Sequence, residues 1–357
     1  MHILLDHGLT ALGQKSGIGH HAEQLALHLR KSADCDAPDF RWVERLPRYT
    51  RRWAYFGYAN VPWRYNAYDV VHHINHYVPF VAGPARHLMT VLDFSVFRYP
   101  ETVPLGWRKF NQHALSSGIE RADGLIAISD AVKAELLDRY SGVPGNRVFV
   151  SPCGVRDSVC CSPGPAESVR PLGLEPFSYF LFVGDLTRRK NLRFLLEVFR
   201  DARASGGLPR DIVLALAGKP AWGYSDIADL LRDDEGIRSL GYVDEPTLGT
   251  LYRYCLAFVF PSSYEGFGIP IVEAMHHGAP IVASEIPTSA ELNSLHNRQM
   301  FLFPLGDRAR LREILTHLGK EGRAERLRLN YGDLTRYTYD SIAHEHMRIY
   351  SMVIGRP

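Results

Sequence analysis

Pro261-Ser-Ser-Tyr-Glu265-Gly266-Phe267-Gly268-Ile-Pro270-Ile-Val-Glu273-Ala-Met-His-His-Gly278-Ala-Pro280 is the stretch that decides how this chain folds. An apolar run, Leu256 to Phe260, enters it and is stopped by Pro261; a second run, Ile281 to Ala283, leaves it. Short apolar runs bounded by turn residues predict buried strands. Between them a glycine-bearing loop opens a helix over Pro270 to His277, with proline near the first position, where a missing N–H costs little. Strand, loop, helix and strand in that order predict a parallel sheet with a crossover. Gly266 and Gly268 admit close backbone approach, and the N–H groups at a helix start favour an anion such as a pyrophosphate. Glu265 and Glu273 stand eight apart, one in the loop and one in the expected first helical turn. Carboxylates accept well from neighbouring hydroxyls, as on a sugar or ribose. Taken singly, each has a plainer reading, as a solvated loop acid or a partner of the helix dipole.

The same logic extends outward. Tyr179 to Val183 and Ile212 to Ala217 are strands ending at Gly184 and Gly218, and helices are predicted over Leu192 to Ala204 and Leu248 to Tyr254. Before them, His2 to Leu5, Asp69 to Val71, Leu88 to Leu92, Gly124 to Ile128 and Val148 to Ser151 alternate with helical patterns at His20–Arg30, Gln112–Ile119 and Ala131–Tyr140. Ser151 to Pro176 breaks the alternation with five prolines in 26 residues, and serves as a linker. The expectation is two α/β domains of Rossmann-like parallel sheet with a cleft between them, over residues 1–165 and 166–337. A last helix, within 338–357, packs back toward the first domain.

Two further segments carry chemistry. Phe182-Val-Gly184-Asp-Leu-Thr-Arg188-Arg189-Lys190-Asn191 runs from a strand end through three cations into a helix. Arginine and lysine there suit a diphosphate, arginine by paired hydrogen bonds and lysine as a point charge. In isolation such a triplet is a solvated surface. Near the N-terminus, Gly17-Ile-Gly19-His-His-Ala22 spells the dinucleotide fingerprint. That motif needs a tight turn directly after its strand, and here about eleven residues separate Leu5 from Gly17.

Together these residues resemble glycosyltransferase family 4, a large retaining family with two Rossmann-like domains in the GT-B fold. The wording Tyr264-Glu-Gly-Phe-Gly-Ile-Pro-Ile-Val-Glu-Ala-Met is similar to that family's E-x7-E element almost residue for residue. The resemblance implies that Glu273 binds the donor ribose and Glu265 the transferred sugar, with the backbone of Gly266, Phe267 and Gly268 near the sugar and diphosphate. It implies that Lys190 and Arg189 hold the diphosphate beside Gly184, and that Gly17 and Gly19 face it from the first domain. Val91-Leu92-Asp93-Phe94 with Pro100-Glu101 resembles the family's His-Asp…Pro-Glu segment. That marks Asp93, and His73 at the end of Asp69-Val-Val-His-His, as contacts to the sugar or acceptor. The chain departs from the family at Asp185 and His20, where arginine is usual, and at Leu92, where histidine is usual. A mannosyltransferase-like branch shares the first departure. The implied activity is transfer with retention of a hexose, mannose or a relative, from a GDP-sugar to a glycan or a polyprenyl-diphosphate-linked glycan. Other readings stay open: an NAD-dependent oxidoreductase built on Gly17 to Ala22, and a catalytically idle nucleotide-sugar-binding protein.

Composition narrows the rest. In 357 residues, 41 basic and 39 acidic side chains give a net charge of +2, too balanced for a nucleic-acid partner. Five cysteines without a C-x-x-C pair suggest neither a disulfide framework nor a zinc site. Asp34-Cys-Asp36 spells the metal-binding D-x-D string of a different glycosyltransferase fold; it reads as loop carboxylates, and neither metal nor cofactor is expected. With no signal-peptide pattern and no apolar run of about 18 residues, a cytoplasmic location is expected. Residues 41–64 hold six arginines, one acid and seven aromatics. They suit an anionic lipid surface or a lipid-diphosphate acceptor, with peripheral contact at the inner face of the membrane.

Overall fold

The structure, a computed structural model, describes residues 1–6, 17–37, 57, 59–74, 77–79, 83–102, 105–160, 163–219, 227, 229, 231, 234–320 and 327–355. The chain divides into two compact units, 1–154 with 335–357, and 155–334.

In the first unit the order is β1 (His2–Asp6), α1 (Gly17–Leu29), β2 (Asp34–Asp36), β3 (Val70–His73), β4 (Arg86–Val91), α2 (Ser95–Arg98), α3 (Leu105–Arg121), β5 (Gly124–Ala127), α4 (Asp130–Arg139) and β6 (Val148–Val150). All six strands pair in parallel, in the order β2-β1-β3-β4-β5-β6. Strands buried on both faces read as continuous apolar runs, and Gly-Leu-Ile-Ala of β5 is buried throughout. Ser129 caps α4, its hydroxyl accepting from Val132 N at 3.1 Å. The D-x-D string is an edge strand, not a loop. Cys35 turns into the core, and Asp34 and Asp36 turn out beside His2 Nε2, at 3.7 and 3.4 Å.

The second unit begins with a single turn, α5 (Asp157–Cys160), and continues with β7 (Tyr179–Val183), α6 (Leu192–Ala204), β8 (Val213–Ala217), β9 (Ile237–Gly241), α7 (Glu245–Tyr254), β10 (Ala257–Phe260), α8 (Ile269–His276), β11 (Ile281–Ser284), α9 (Pro287–Leu295), β12 (Phe301–Phe303) and α10 (Arg308–Lys320). Its parallel sheet runs β12-β11-β10-β7-β8-β9. Helix α6 lays Leu192, Leu195, Leu196, Phe199 and Ala202 against β7, β8 and α10 at helical spacing. Residues 155–160 and 163–165 pack on this unit: Val159 is buried, and Gly164 N donates to Thr250 Oγ1 at 2.7 Å. The boundary expected after residue 165 therefore falls inside it.

The chain ends in α11 (Tyr339–Val353), which belongs to the first unit. Its Ile342, Ala343, Ile349 and Tyr350 share one core with Ile3 and Leu5 of β1 and Leu25 and Leu29 of α1. Asp340 meets His28 and Lys31 at 2.6 and 2.9 Å. Gly154 is needed where it stands, because a Cβ there would lie 2.6 Å from the Tyr339 ring.

Candidate functional site

In open parallel sheets, ligands bind beyond the carboxyl ends of the strands, where strand order reverses. In the second unit that point lies between β7 and β10, and both sequence segments singled out above leave from it. Strand β7 ends at Gly184, with φ of 138°. Its carbonyl passes so close to Gly218 that a Cβ there would stand 1.9 Å from it. The chain then forms a 3-10 turn over Arg188–Lys190 and enters α6 through Asn191 in the left-handed conformation. From β10, the loop 261–268 leads into α8, opened by Gly268 at φ of 121°.

The two loops are tied together by charge. Lys190 Nζ lies 2.6 Å from Glu265 Oε1, and Arg189 Nη1 lies 2.6 Å from Glu265 Oε2. Arg189 also donates to Tyr264 O at 2.6 Å, while its own carbonyl accepts from Ser263 N at 2.9 Å. Lys190 Nζ stands 5.0 Å from the centre of the Phe260 ring. Glu265 is only 10% exposed. Burial alone would push its carboxyl up, but Lys190 and Arg189 override that and hold it at about 2. The result is a shielded, permanently ionised triad of two cations and one carboxylate.

Glu273 sits elsewhere on α8 than expected. It is the fifth residue of the helix, beyond the first turn, so partnership with the helix dipole does not explain it. Its side chain is fully buried. Arg156 donates to Oε1 through Nε at 2.9 Å and Nη2 at 2.8 Å, and Tyr252 donates to Oε2 at 3.2 Å. Burial raises the carboxyl above its ordinary value, and Arg156 offsets only part of that. Arg156 and Tyr252 escape sequence reasoning altogether. Arg156 lies 117 positions from its carboxylate, and no local pattern links them.

The remaining sequence candidates belong to the first unit. Gly17 and Gly19 open α1 itself and lie in its first turn, so they form part of a helix rather than a loop. The residues that join them to β1, 7–16, lie outside the described ones. With β1 ending at Asp6 and α1 starting at Gly17, ten residues intervene, too many for the tight strand-to-helix turn that the dinucleotide fingerprint requires. Asp93 is half-buried, and its Oδ1 accepts from Ser95 N at 2.8 Å. His73 ends β3 beside Asp6, its register partner on β1, where the order of this sheet reverses. The ring is fully buried and stacked on His87, with Nε2 2.9 Å from His87 Nδ1 and Nδ1 3.8 Å from Asp6 Oδ2. Arg64 Nη1 donates to the same Asp6 oxygen at 3.4 Å. Of the stretch 41–64, residues 41–56 and 58 lie outside the described ones; Trp63 is 74% exposed. No helix among the described residues is long and apolar enough to cross a membrane.

Comparison with known proteins matches both halves. The model described as Glycosyltransferase Family 4 matches residues 16–159, and the one described as Glycosyl transferases group 1 matches residues 178–320. The O-antigen chain mannosyltransferase B of Escherichia coli is 30% identical over 234 residues, which is 62% of this chain and 58% of that protein. The chain thus spans little more than half the length of this curated relative. Among solved structures, HepE from Anabaena in complex with UDP-glucose superposes with a TM-score of 0.71 at 16% identity, covering 99% of this chain and 100% of that one. Sucrose-phosphate synthase from Thermosynechococcus elongatus gives 0.70 at 18% identity over 99% of both chains. At these identities the structures speak for the fold alone, which is GT-B.

Proposed function

The chain belongs to the family-4 glycosyltransferases, and from that premise we propose that it transfers a hexose, with retention, from a nucleotide-sugar donor. The observation that carries this is the Lys190–Glu265–Arg189 triad at the reversal point of the second sheet. The bond broken joins the anomeric carbon to a diphosphate oxygen, and negative charge grows on that oxygen as it leaves. Two fixed cations in a shielded site stabilise such charge without reorganising. Lys190 and Arg189 take this part, in a reaction that needs no metal. Glu265 cannot be protonated near neutral pH, so it acts only as an acceptor. It orients hydroxyls of the transferred sugar and keeps the two cations apart. Glu273 accepts from the donor ribose. The departing phosphate takes the acceptor's proton, so no side-chain base is required. Gly184 gives the diphosphate close backbone approach.

Mannose from a GDP-sugar is the donor we propose, and a glycan, free or on a polyprenyl diphosphate, the acceptor. The named relative, an O-antigen chain mannosyltransferase, supports this choice. The test is nucleoside diphosphate release from GDP-, UDP-, ADP- and TDP-sugars, by the wild type and by Glu273→Ala and Lys190→Ala. Release from one donor, lost in both variants, is the expected result. Donor binding without release from any of them, even with lipid-linked glycan added, would instead mark a binding protein.

A further inference from the structure

We propose that Arg156 is the positioning residue for Glu273, holding that carboxylate in one orientation so that it accepts from the donor nucleoside. The proposal rests on the reading of Glu273 given above and assigns a role to a residue outside the two segments that carry it.

Four observations converge on Arg156. Its guanidinium places two donors on one oxygen of Glu273 while Tyr252 takes the other, so the plane of the carboxylate is fixed from both ends. The lone pairs left over then point in set directions. Second, the arginine is itself held: Nη1 lies 3.4 Å from Glu245 Oε1, and Ser158 donates to the other oxygen of Glu245. Third, the backbone that carries it is pinned to α7 and α8. Val159 is buried, its carbonyl lies 2.8 Å from His277 Nε2, and it passes so close to Gly249 that a Cβ there would sit 2.3 Å away. Fourth, Glu273 is fully buried, on a helix whose Ile271, Val272, Ala274 and Met275 are buried as well. A carboxyl in such a place takes up a proton unless a cation opposes it. A protonated acid has given up one acceptor site and gained a donor, and so meets a pair of hydroxyls less well. Arg156 is 26% exposed, so its outer edge stays within reach of solvent while its inner edge serves Glu273.

A merely structural arginine, tying α5 to α7 and α8, would affect stability and nothing else. The two roles separate by pH. Wild type, Arg156→Met, Arg156→Lys and Glu273→Gln are compared from pH 6 to 9. The readouts are donor KM and kcat, calorimetric affinity for GDP, UDP, ADP and TDP, and Tm. Without the cation, the Glu273 carboxyl titrates higher. The expected result for Arg156→Met is a donor KM raised about tenfold or more at pH 7, with the affinity for the nucleoside diphosphate falling in step. The defect shrinks toward pH 9 and grows below pH 7 by up to about tenfold per pH unit, the limit for one proton. The value of kcat at saturation changes little, and Arg156→Lys recovers most of the loss. If Arg156→Met keeps the wild-type pH profile and only lowers Tm, the proposal is overturned. Should Arg156→Met fail to fold, a wild-type KM profile in Arg156→Gln would overturn it equally. Glu273→Gln separates this failure from that of the underlying reading. If it leaves donor KM and nucleotide affinity unchanged, Glu273 does not bind the nucleoside, and both ideas fall. If it weakens the donor while Arg156→Met does not, only the role of Arg156 falls.

Discussion

Lowering the pH from 7.5 to 5.5 should unfold the first unit before the second. The perturbation acts on buried histidines. His21, His72, His73 and His346 are buried in the first unit. Burial drives His21 and His73 to about 3 and His346 to about 4, and puts His72 well below its ordinary value. Their surroundings reinforce this: His72 is faced by His346, His73 and His21, and His73 by His87 and Arg64, with only Asp6 opposing. The hydrogen bonds of His72, 2.7 Å to Tyr350 Oη and 2.7 Å to Thr90 Oγ1, join β3 and β4 to α11. In the unfolded chain each of these rings titrates near 6.5. A depressed folded value contributes stability above 6.5 that is lost as the pH falls toward the folded value. At pH 5.5 each ring costs about 1.4 kcal/mol, and four together about 5.6 kcal/mol, comparable with the whole stability of a modest domain. Glu265 does not confuse the measurement, because its contribution is lost only below about 4.5. Urea unfolding at half-unit steps of pH is the assay, followed by tryptophan fluorescence; four of the five tryptophans (42, 53, 63 and 107) fall within residues 1–154. The fitted stability of this transition should fall by three to four protons' worth per pH unit between 6 and 5, about 4–5 kcal/mol. His72→Gln should lower that slope by one proton, whatever it does to stability at pH 8. A wild-type slope below one proton would refute the reasoning.

Two other predictions follow from single contacts. Glu265→Gln leaves Lys190 and Arg189 without their common carboxylate; since both cations are partly exposed, the cost should be about 2–3 kcal/mol. Added pyrophosphate should raise the Tm of this variant more than that of the wild type, and a variant with unaltered Tm and no such response would sink the triad as a diphosphate site. Gly154→Ala drives a Cβ against the Tyr339 ring and should cost about 1–3 kcal/mol by overpacking. Adding Tyr339→Leu should then stabilise the single variant, which calorimetry would detect as a Tm above that of Gly154→Ala alone.

How far the sequence speaks depends on how locally each feature is encoded. Strands β7 and β10 are legible because both faces are buried, which turns Tyr-Phe-Leu-Phe-Val and Ala-Phe-Val-Phe into unbroken apolar runs. Edge strands lack that signal. Only Cys35 of β2 faces the core, and β9, Ile-Arg-Ser-Leu-Gly, buries little beyond Ile237. Helix α10 buries Leu311, Ile314, Leu315 and Leu318 in helical order, but it opens with Arg308 and Arg310, the wrong sign for a helix start. The triad is legible because each of its loops joins a strand to a helix in one short segment. The partners of Glu273 are not, because Arg156 and Tyr252 reach it through tertiary packing across α5, α7 and α8.

The two glutamates of one nine-residue motif are thus placed under opposite regimes. Two cations hold the Glu265 carboxyl down at about 2, whereas Glu273 has one cation against complete burial, and its carboxyl is raised. Charge at Glu265 is fixed while charge at Glu273 is conditional, so mild acid should weaken donor binding before it touches the groups that stabilise the leaving phosphate. That loss would appear in KM, with kcat preserved. Acid loss of the first unit would instead remove active molecules, lowering the apparent kcat with KM unchanged. The two failures arise in different units and from different residues, carboxylate in one and imidazole in the other. A pH series of KM and kcat, set beside the unfolding series, therefore assigns each decline to its own group of side chains.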